Sequence, residues 1–182
     1  MTLQLVEANK DWDKIKKLYL TAFPAVERLP FCFLKSKTKK QTAEFCSLYD
    51  DDKWIGFIYT LKDATLAYVF FLAIAPEFRS QGYGSRLIKL IAARYQNLVI
   101  GLSAERIDAS KENNAQRIRR QKFYHRNNFL PSGYYSREKG GEEFDFLTYS
   151  QKKVDPQAYP QLMRHVLGFL QPLILPVKMY QI

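Results

Sequence analysis

The chain has 182 residues, 47% hydrophobic and 25% charged, the balance of one ordinary folded domain rather than of a disordered or collagen-like polymer. Its longest wholly apolar run, Leu66–Ala75, is about half of what a helix needs to cross a bilayer, and Met1–Lys10 lacks the apolar run of a secretory leader. Lys and Arg number 28 against 18 Asp and Glu, a formal charge of +10, which points to an anionic partner such as nucleic acid, a membrane surface or a phosphate-rich small molecule.

Two cysteines, Cys32 and Cys46, lie outside any CxxC pair; they fit buried thiols in a reducing compartment, so a cytoplasmic protein is expected. The positive charge is partly local. Lys35, Lys37, Lys39 and Lys40 form one cluster, and Lys111, Arg117, Arg119, Arg120, Lys122 and Arg126 form another with Glu112 as its one acid.

In chain order, the alternation at Leu3–Val6 predicts a first strand. Asp11 then caps a helix with Trp12, Ile15, Leu18, Tyr19, Ala22 and Phe23 at helical spacing. Pro24 and Pro30 bound a loop, followed by a short apolar stretch at Phe31–Leu34. Thr42–Tyr49 and Trp54–Leu61 read as paired strands about the turn Asp50–Lys53. Thr65–Ala75 is apolar at every position, which suits a strand buried on both faces at the centre of a sheet. Ser85–Tyr95 is an amphipathic helix and Leu98–Leu102 a buried strand. Asn113 or Asn114 caps a basic helix running to about Arg126, and Phe129 begins a strand. Gly140–Gly141 marks a hairpin between Gly133–Lys139 and Glu142–Tyr149. Pro156–Leu170 reads as a helix, followed by a Pro172/Pro176 tail whose path the sequence does not specify. The result is a mixed α/β sheet with helices on both faces, without repeats or linkers.

The most specific segment is Ala73-Ile74-Ala75-Pro76-Glu77-Phe78-Arg79-Ser80-Gln81-Gly82-Tyr83-Gly84-Ser85, which runs from a buried strand through a tight loop into a helix. A helix N-terminus carries free backbone N–H groups and about half a positive charge, a ready site for phosphate. Gly82 and Gly84 let the backbone approach a ligand, and Arg79 adds a forked, permanent cation. The pattern is neither GxGxxG nor a Walker loop.

Arg79-Ser80-Gln81-Gly82-Tyr83-Gly84 resembles the (Arg/Gln)-x-x-Gly-x-(Gly/Ala) pyrophosphate loop of the GNAT superfamily of acyl-CoA-dependent N-acyltransferases, and Leu72-Ala73-Ile74-Ala75-Pro76 resembles the strand before it. Phe123-Tyr124-His125-Arg126-Asn127-Asn128-Phe129 is similar to the family's Tyr-x-x-x-Gly-Phe segment, with Asn128 in place of Gly; Asn is the next-best residue for a left-handed helix end. The Asn-x-x-Ala spacing common ahead of that Tyr is absent. The resemblance covers about residues 3–149. It implies a GNAT-like, mostly antiparallel sheet of six or seven strands with a splayed central pair. An N-acetyltransferase domain would span residues 1–150, and a C-terminal helix and tail, 151–182, would pack on it or on a partner subunit.

The same resemblance implies acetyl-CoA as co-substrate, without a metal. Arg79, Ser80, Gln81, Gly82, Tyr83, Gly84 and Ser85 would hold its phosphates, and backbone at Leu72, Ala73 and Ile74 its pantetheine arm and thioester. Acetyl would pass to a primary amine by direct attack in a ternary complex. Tyr124, at the family position, would protonate the leaving thiolate, and Glu105 or Glu27 would take the amine's proton. His125 and His165 are isolated and lack metal-ligand spacing. Gly101-Leu102-Ser103-Ala104-Glu105 superficially resembles GxSxG but ends in Glu and has no His partner, which excludes a hydrolase. The competing readings are an acyl-CoA-binding sensor without catalysis and a nucleic-acid-binding module that uses the two basic clusters. Phe23, Phe31, Phe33, Tyr134 and Tyr135 suggest an apolar or aromatic acceptor wall, with Glu27 attracting a cationic amine. A small amine, an amino-acid derivative or a protein terminus would all fit; a small-molecule amine is the expected partner rather than a membrane, and a homodimer is left open.

Overall fold

In the computed structural model, which describes residues 3–137, 141–168 and 178–182, the strand and helix periodicities alternate much as the sequence predicts. The strands are β1 (Leu3–Glu7), β2 (Ala43–Asp50), β3 (Lys53–Lys62), β4 (Leu66–Ile74), β5 (Val99–Glu105), β6 (Phe129–Arg137), β7 (Glu143–Tyr149) and β8 (Lys178–Gln181). The helices are α1 (Trp12–Ala22), α2 (Phe31–Thr38), α3 (Tyr83–Arg94), α4 (Asn114–Arg126) and α5 (Ala158–Leu167). They form a mixed α/β fold with an eight-stranded sheet in the order β1-β2-β3-β4-β5-β7-β6-β8. The chain divides into two compact units, Met1–Lys62 with Val69–Arg94 and Asp63–Tyr68 with Tyr95–Ile182.

In the first unit, α1 buries Ile15, Leu18 and Tyr19 at the spacing of one helix face. Asp11 precedes the helix as expected, but its carboxylate turns to the sheet, accepting bonds from Ser47 Oγ at 3.0 Å and Tyr49 Oη at 2.7 Å. Aromatic rings fill the core: Phe71 lies 4.7 Å from Phe23 and 5.0 Å from Tyr19, and Phe45 lies 4.3 Å from Tyr59. Each fully buried ring contributes on the order of 2–3 kcal/mol of transfer free energy. Two phenols also tie neighbouring segments to this core, Tyr19 donating to the Leu29 carbonyl in the loop before α2 at 2.9 Å and Tyr59 to the Leu34 carbonyl of α2 at 3.1 Å. The apolar stretch Phe31–Leu34 proves to be the start of a helix, α2. Pro30 sets the entry dihedral at φ −54°, and Leu34 is the helix's one buried side chain, so the stretch shows too little periodicity to read as helical.

The β2–β3 register shifts between Leu48 and Tyr49, leaving Ile55 as an extra residue between Trp54 and Gly56. The Ile55 carbonyl accepts from Ala75 N–H at 2.9 Å. Beside it, a Cβ on Gly56 would fall 2.2 Å from the Ala73 carbonyl oxygen and 3.0 Å from the Ile74 Cα. Both obstacles are backbone, so Gly56→Ala should displace β4 and destabilise the protein by about 2–3 kcal/mol. That corresponds to a fall in Tm of roughly 4–12 °C for a domain of this size, and an unchanged melting curve would refute the close approach.

In the second unit, β4 pairs parallel with β5 from Leu66↔Val99 to Tyr68↔Gly101. The pairs β1–β2, β2–β3, β5–β7, β6–β7 and β6–β8 are all antiparallel. α5 buries Tyr159, Leu162, Met163, Val166 and Leu167, with the Tyr159 ring 4.4 Å from Tyr68 and 5.3 Å from Phe146. β6 and β7 pair down to Arg137↔Glu143, as a hairpin requires. Of its turn, residues 138–140 lie outside the described residues, as do the helical reading at residues 169–170 and both tail prolines. Among the described residues the sheet has eight strands rather than six or seven. The added one is β8, drawn from the unread tail and paired with β6 from Tyr134↔Gln181 to Arg137↔Lys178.

Candidate active site

The loop singled out in the sequence is built from a one-turn 3-10 helix, Pro76–Phe78, and the start of α3. Two of its residues are left-handed, Ser80 at φ 62° and Gly82 at φ 79°. A Cβ at Gly82 would meet nothing within 4 Å, so glycine serves here for its backbone angle and for the open space above it. The first intrahelical bond of α3 runs from Arg86 N–H to the Gly82 carbonyl at 3.1 Å. The amides of Tyr83, Gly84 and Ser85 therefore precede the helical ladder, and no acidic residue occupies the helix's first turn.

Side chains brace the loop from both ends. Arg79 Nε donates to the Ile74 carbonyl at 3.0 Å, and its terminal amino groups have no partner among the described residues. Gln81 Nε2 donates to the Glu77 carbonyl at 2.8 Å. Tyr83 Oη donates to Asp50 Oδ2 at 2.7 Å, and the Arg86 guanidinium lies 4.1 Å from the Tyr83 ring centroid. The bond to Asp50 favours the protonated phenol and raises the Tyr83 pKa. Because Ala75 N–H and the Ala73 carbonyl both face β3, strand alternation turns the peptide groups of Leu72 and Ile74 toward the opposite edge of β4.

The second unit holds Tyr124 and Glu105. Tyr124 lies in the last turn of α4, half-buried, with its ring 5.4 Å from Phe123 and 6.0 Å from Phe129. Burial raises its pKa, and the Arg120 charge opposes that shift. Its hydroxyl has no hydrogen-bond partner among the described residues. After it, Asn128 adopts φ 64°, the left-handed helix end expected where glycine is usual, and donates from Nδ2 to Ser150 Oγ at 2.8 Å.

Glu105 stands at the end of β5, buried and fully engaged. Its carboxylate accepts from Arg120 Nη1, from Asn113 Nδ2 at 3.0 Å, and lies 3.5 Å from Arg117 Nη2. Arg117, itself buried, also donates to Asn113 Oδ1 at 2.8 Å, the Arg106 carbonyl at 3.1 Å and Glu142 Oε2 at 3.0 Å. Both carboxylate oxygens are thus engaged, one by Arg120 and the other by Asn113 and Arg117. Half of the basic cluster on and before α4 is thereby neutralised, since Arg117 and Arg120 meet Glu105 and Lys111 pairs with Glu142. Glu27 is exposed, in the one-turn helix Ala25–Glu27 between the two prolines.

The family profile of the acetyltransferase (GNAT) domain matches residues 41–131, half of the chain, including the whole loop and Tyr124. The chain belongs to the GNAT family. It is an N-acetyltransferase by that membership. Solved structures agree in fold: a GNAT-family protein from Bacteroides thetaiotaomicron superimposes with TM-score 0.70 at 23% identity over 98% of this chain and 100% of its own. An aminoglycoside 6'-N-acetyltransferase complexed with coenzyme A gives TM-score 0.62 at 12% identity over 85% and 99%. The dodecameric spermidine N-acetyltransferase of Vibrio cholerae gives 0.60 at 16% over 80% and 92%. A search of curated proteins finds no match to the sequence. Among the described residues of this GNAT acetyltransferase, no helix is long and apolar enough to cross a membrane, and no group of three or more His, Cys, Asp or Glu is placed to hold a metal ion.

Sequence reasoning passed over Asp50, Arg86, Arg117 and Arg120. Asp50 reads as the first of three turn aspartates, and its tyrosine partner lies 33 residues away. Arg117 and Arg120 read as part of a basic cluster, and their bonds to Glu105 and Glu142 reveal a second role, whereas Arg86 stands beside Asp50 and the Tyr83 ring.

Proposed function

We propose that this acetyltransferase moves acetyl from acetyl-CoA to a primary amine of a small molecule by direct attack in a ternary complex. The observation that carries this reading is the loop before α3. Two left-handed residues, three amides ahead of the helical ladder and an Arg79 with free terminal amino groups suit a diphosphate. Coenzyme A fits these residues, since the space above Gly82 is open and no acid in the first turn opposes it. The coenzyme A complex of a structural neighbour supports the choice, and neighbours named for aminoglycoside and spermidine acetylation support an amine acceptor.

When bound, acetyl-CoA supplies an activated acyl thioester. Arg79 and the amides of residues 83–85 hold its phosphates. An outward-facing N–H of Leu72 or Ile74 polarises the thioester carbonyl, an interaction worth roughly 3 kcal/mol at such a site. Glu27, directly or through water, removes a proton from the amine, a role for which Glu105 is less suited because both its oxygens already serve arginines. Tyr124 donates its proton to the departing sulfur.

Isothermal calorimetry with acetyl-CoA tests the first part, and an amine panel read by thiol release tests the second. Tyr124→Phe should lower kcat by about 10–100-fold while coenzyme A affinity stays within about twofold. The raised phenol pKa adds a pH signature. The protonated, donating form persists to higher pH than an ordinary tyrosine allows, so the alkaline loss of kcat due to this group falls above about pH 10. The Phe variant lacks that limb, and undiminished turnover in it would remove Tyr124 from the mechanism.

A further inference from the structure

We propose that Asp50 is a positioning residue for coenzyme binding. It holds Tyr83, the first residue of α3, and so fixes the phosphate-binding amides before the ligand arrives; the inference rests on the coenzyme reading above. Asp50 is 5% exposed at the end of β2. One of its oxygens accepts the Tyr83 phenol at 2.7 Å and lies 3.9 Å from Arg86 Nη1. The other is buried without a hydrogen-bond partner among the described residues.

A buried carboxylate with an unmet oxygen weakens a fold, and an apolar side chain would serve packing better. What this one does locally is aim Tyr83. Three groups hold the tyrosine: Asp50 accepts from its hydroxyl, Arg86 lies over its ring, and Phe78 meets it in a T-shaped pair at 5.8 Å between ring centroids. Phe78 ends the 3-10 helix before the loop and Tyr83 begins the helix after it, so this one ring clamps both ends of residues 79–82. Those residues contain the left-handed Ser80 and Gly82, a segment with many accessible conformations when its ends are loose. Clamping moves the ordering cost from ligand binding to folding. The same carboxylate balances the nearby Arg86 cation.

The test is calorimetric titration of the full-length protein with coenzyme A, comparing the unaltered chain with Asp50→Leu, which has no acceptor for the phenol, Tyr83→Phe and the double variant. Each single change should weaken binding about 5–20-fold, and the double should be no weaker than the worse single, because both remove one contact. Amide hydrogen exchange at residues 79–86 of the unliganded Tyr83→Phe protein should quicken, with exchange in β2 and β3 unchanged. Normal affinity in Tyr83→Phe, additive losses in the double variant, or exchange that rises equally throughout the unit would each overturn the role given to Asp50. Tyr83→Phe keeps its ring packing, so it carries the test if Asp50→Leu does not fold. Failure of the unaltered protein to bind coenzyme A would instead remove the coenzyme reading itself.

Discussion

Coenzyme A affinity should fall by about 30-fold or more when Gly82 is replaced by glutamate. Two effects combine. At φ 79° any side chain incurs the left-handed penalty of about 1–2 kcal/mol, and a carboxylate above the amides of residues 83–85 adds Coulomb repulsion of about 1–4 kcal/mol against the phosphates. Their sum, about 2–6 kcal/mol, corresponds to roughly 30-fold or more in Kd. Gly82→Ala keeps only the backbone penalty and should lose roughly tenfold, since its Cβ has open space around it. Calorimetry on both variants separates the two contributions, and full affinity in the glutamate variant would mean that the phosphates lie elsewhere.

Removing the Glu105 side chain should cost the second unit as much stability as truncating one of its buried aromatic rings. Glu105→Ala leaves the buried Arg117 and the half-buried Arg120 without their shared anion, a change that typically costs about 3–5 kcal/mol. For a chain of this length that is a fall in Tm on the order of 10 °C, readable by thermal unfolding. Glu105→Gln keeps both acceptor and shape and should lose less. The comparison also separates the two roles considered for this residue. If Glu105 were the general base, Glu105→Gln would lower kcat sharply while its melting temperature stayed close to that of the unaltered protein.

Features that depend on neighbours along the chain are legible in the residues alone. The helix faces of α1 and α3, the apolar run of β4, the glycine spacing of the loop and the left-handed Asn128 each follow from local periodicity or a single dihedral preference. α2 is not legible, because one buried leucine and a preceding proline give no periodic pattern. β8 is not, because a four-residue strand is specified by its partner β6 rather than by its own composition. The site divides in the same way. The loop announces itself, whereas the bonds that decide what Glu105 and Asp50 can do join residues 15 and 33 positions apart. Charge in particular misleads: Arg117 and Arg120 look like part of a basic surface until Glu105 is found between them.

β8 carries one more consequence. By lying along β6, with Tyr180 stacked on Tyr135 at 5.2 Å and Ile182 N–H bonded to the Gly133 carbonyl at 2.9 Å, it covers a row of peptide groups that would otherwise be an open template for other chains. The border strand that remains is only four residues long and is flanked by Lys178 and Arg137, charges that discourage edge-to-edge stacking. A four-residue strand thus shields the edge of β6, a structural task separate from acetyl transfer.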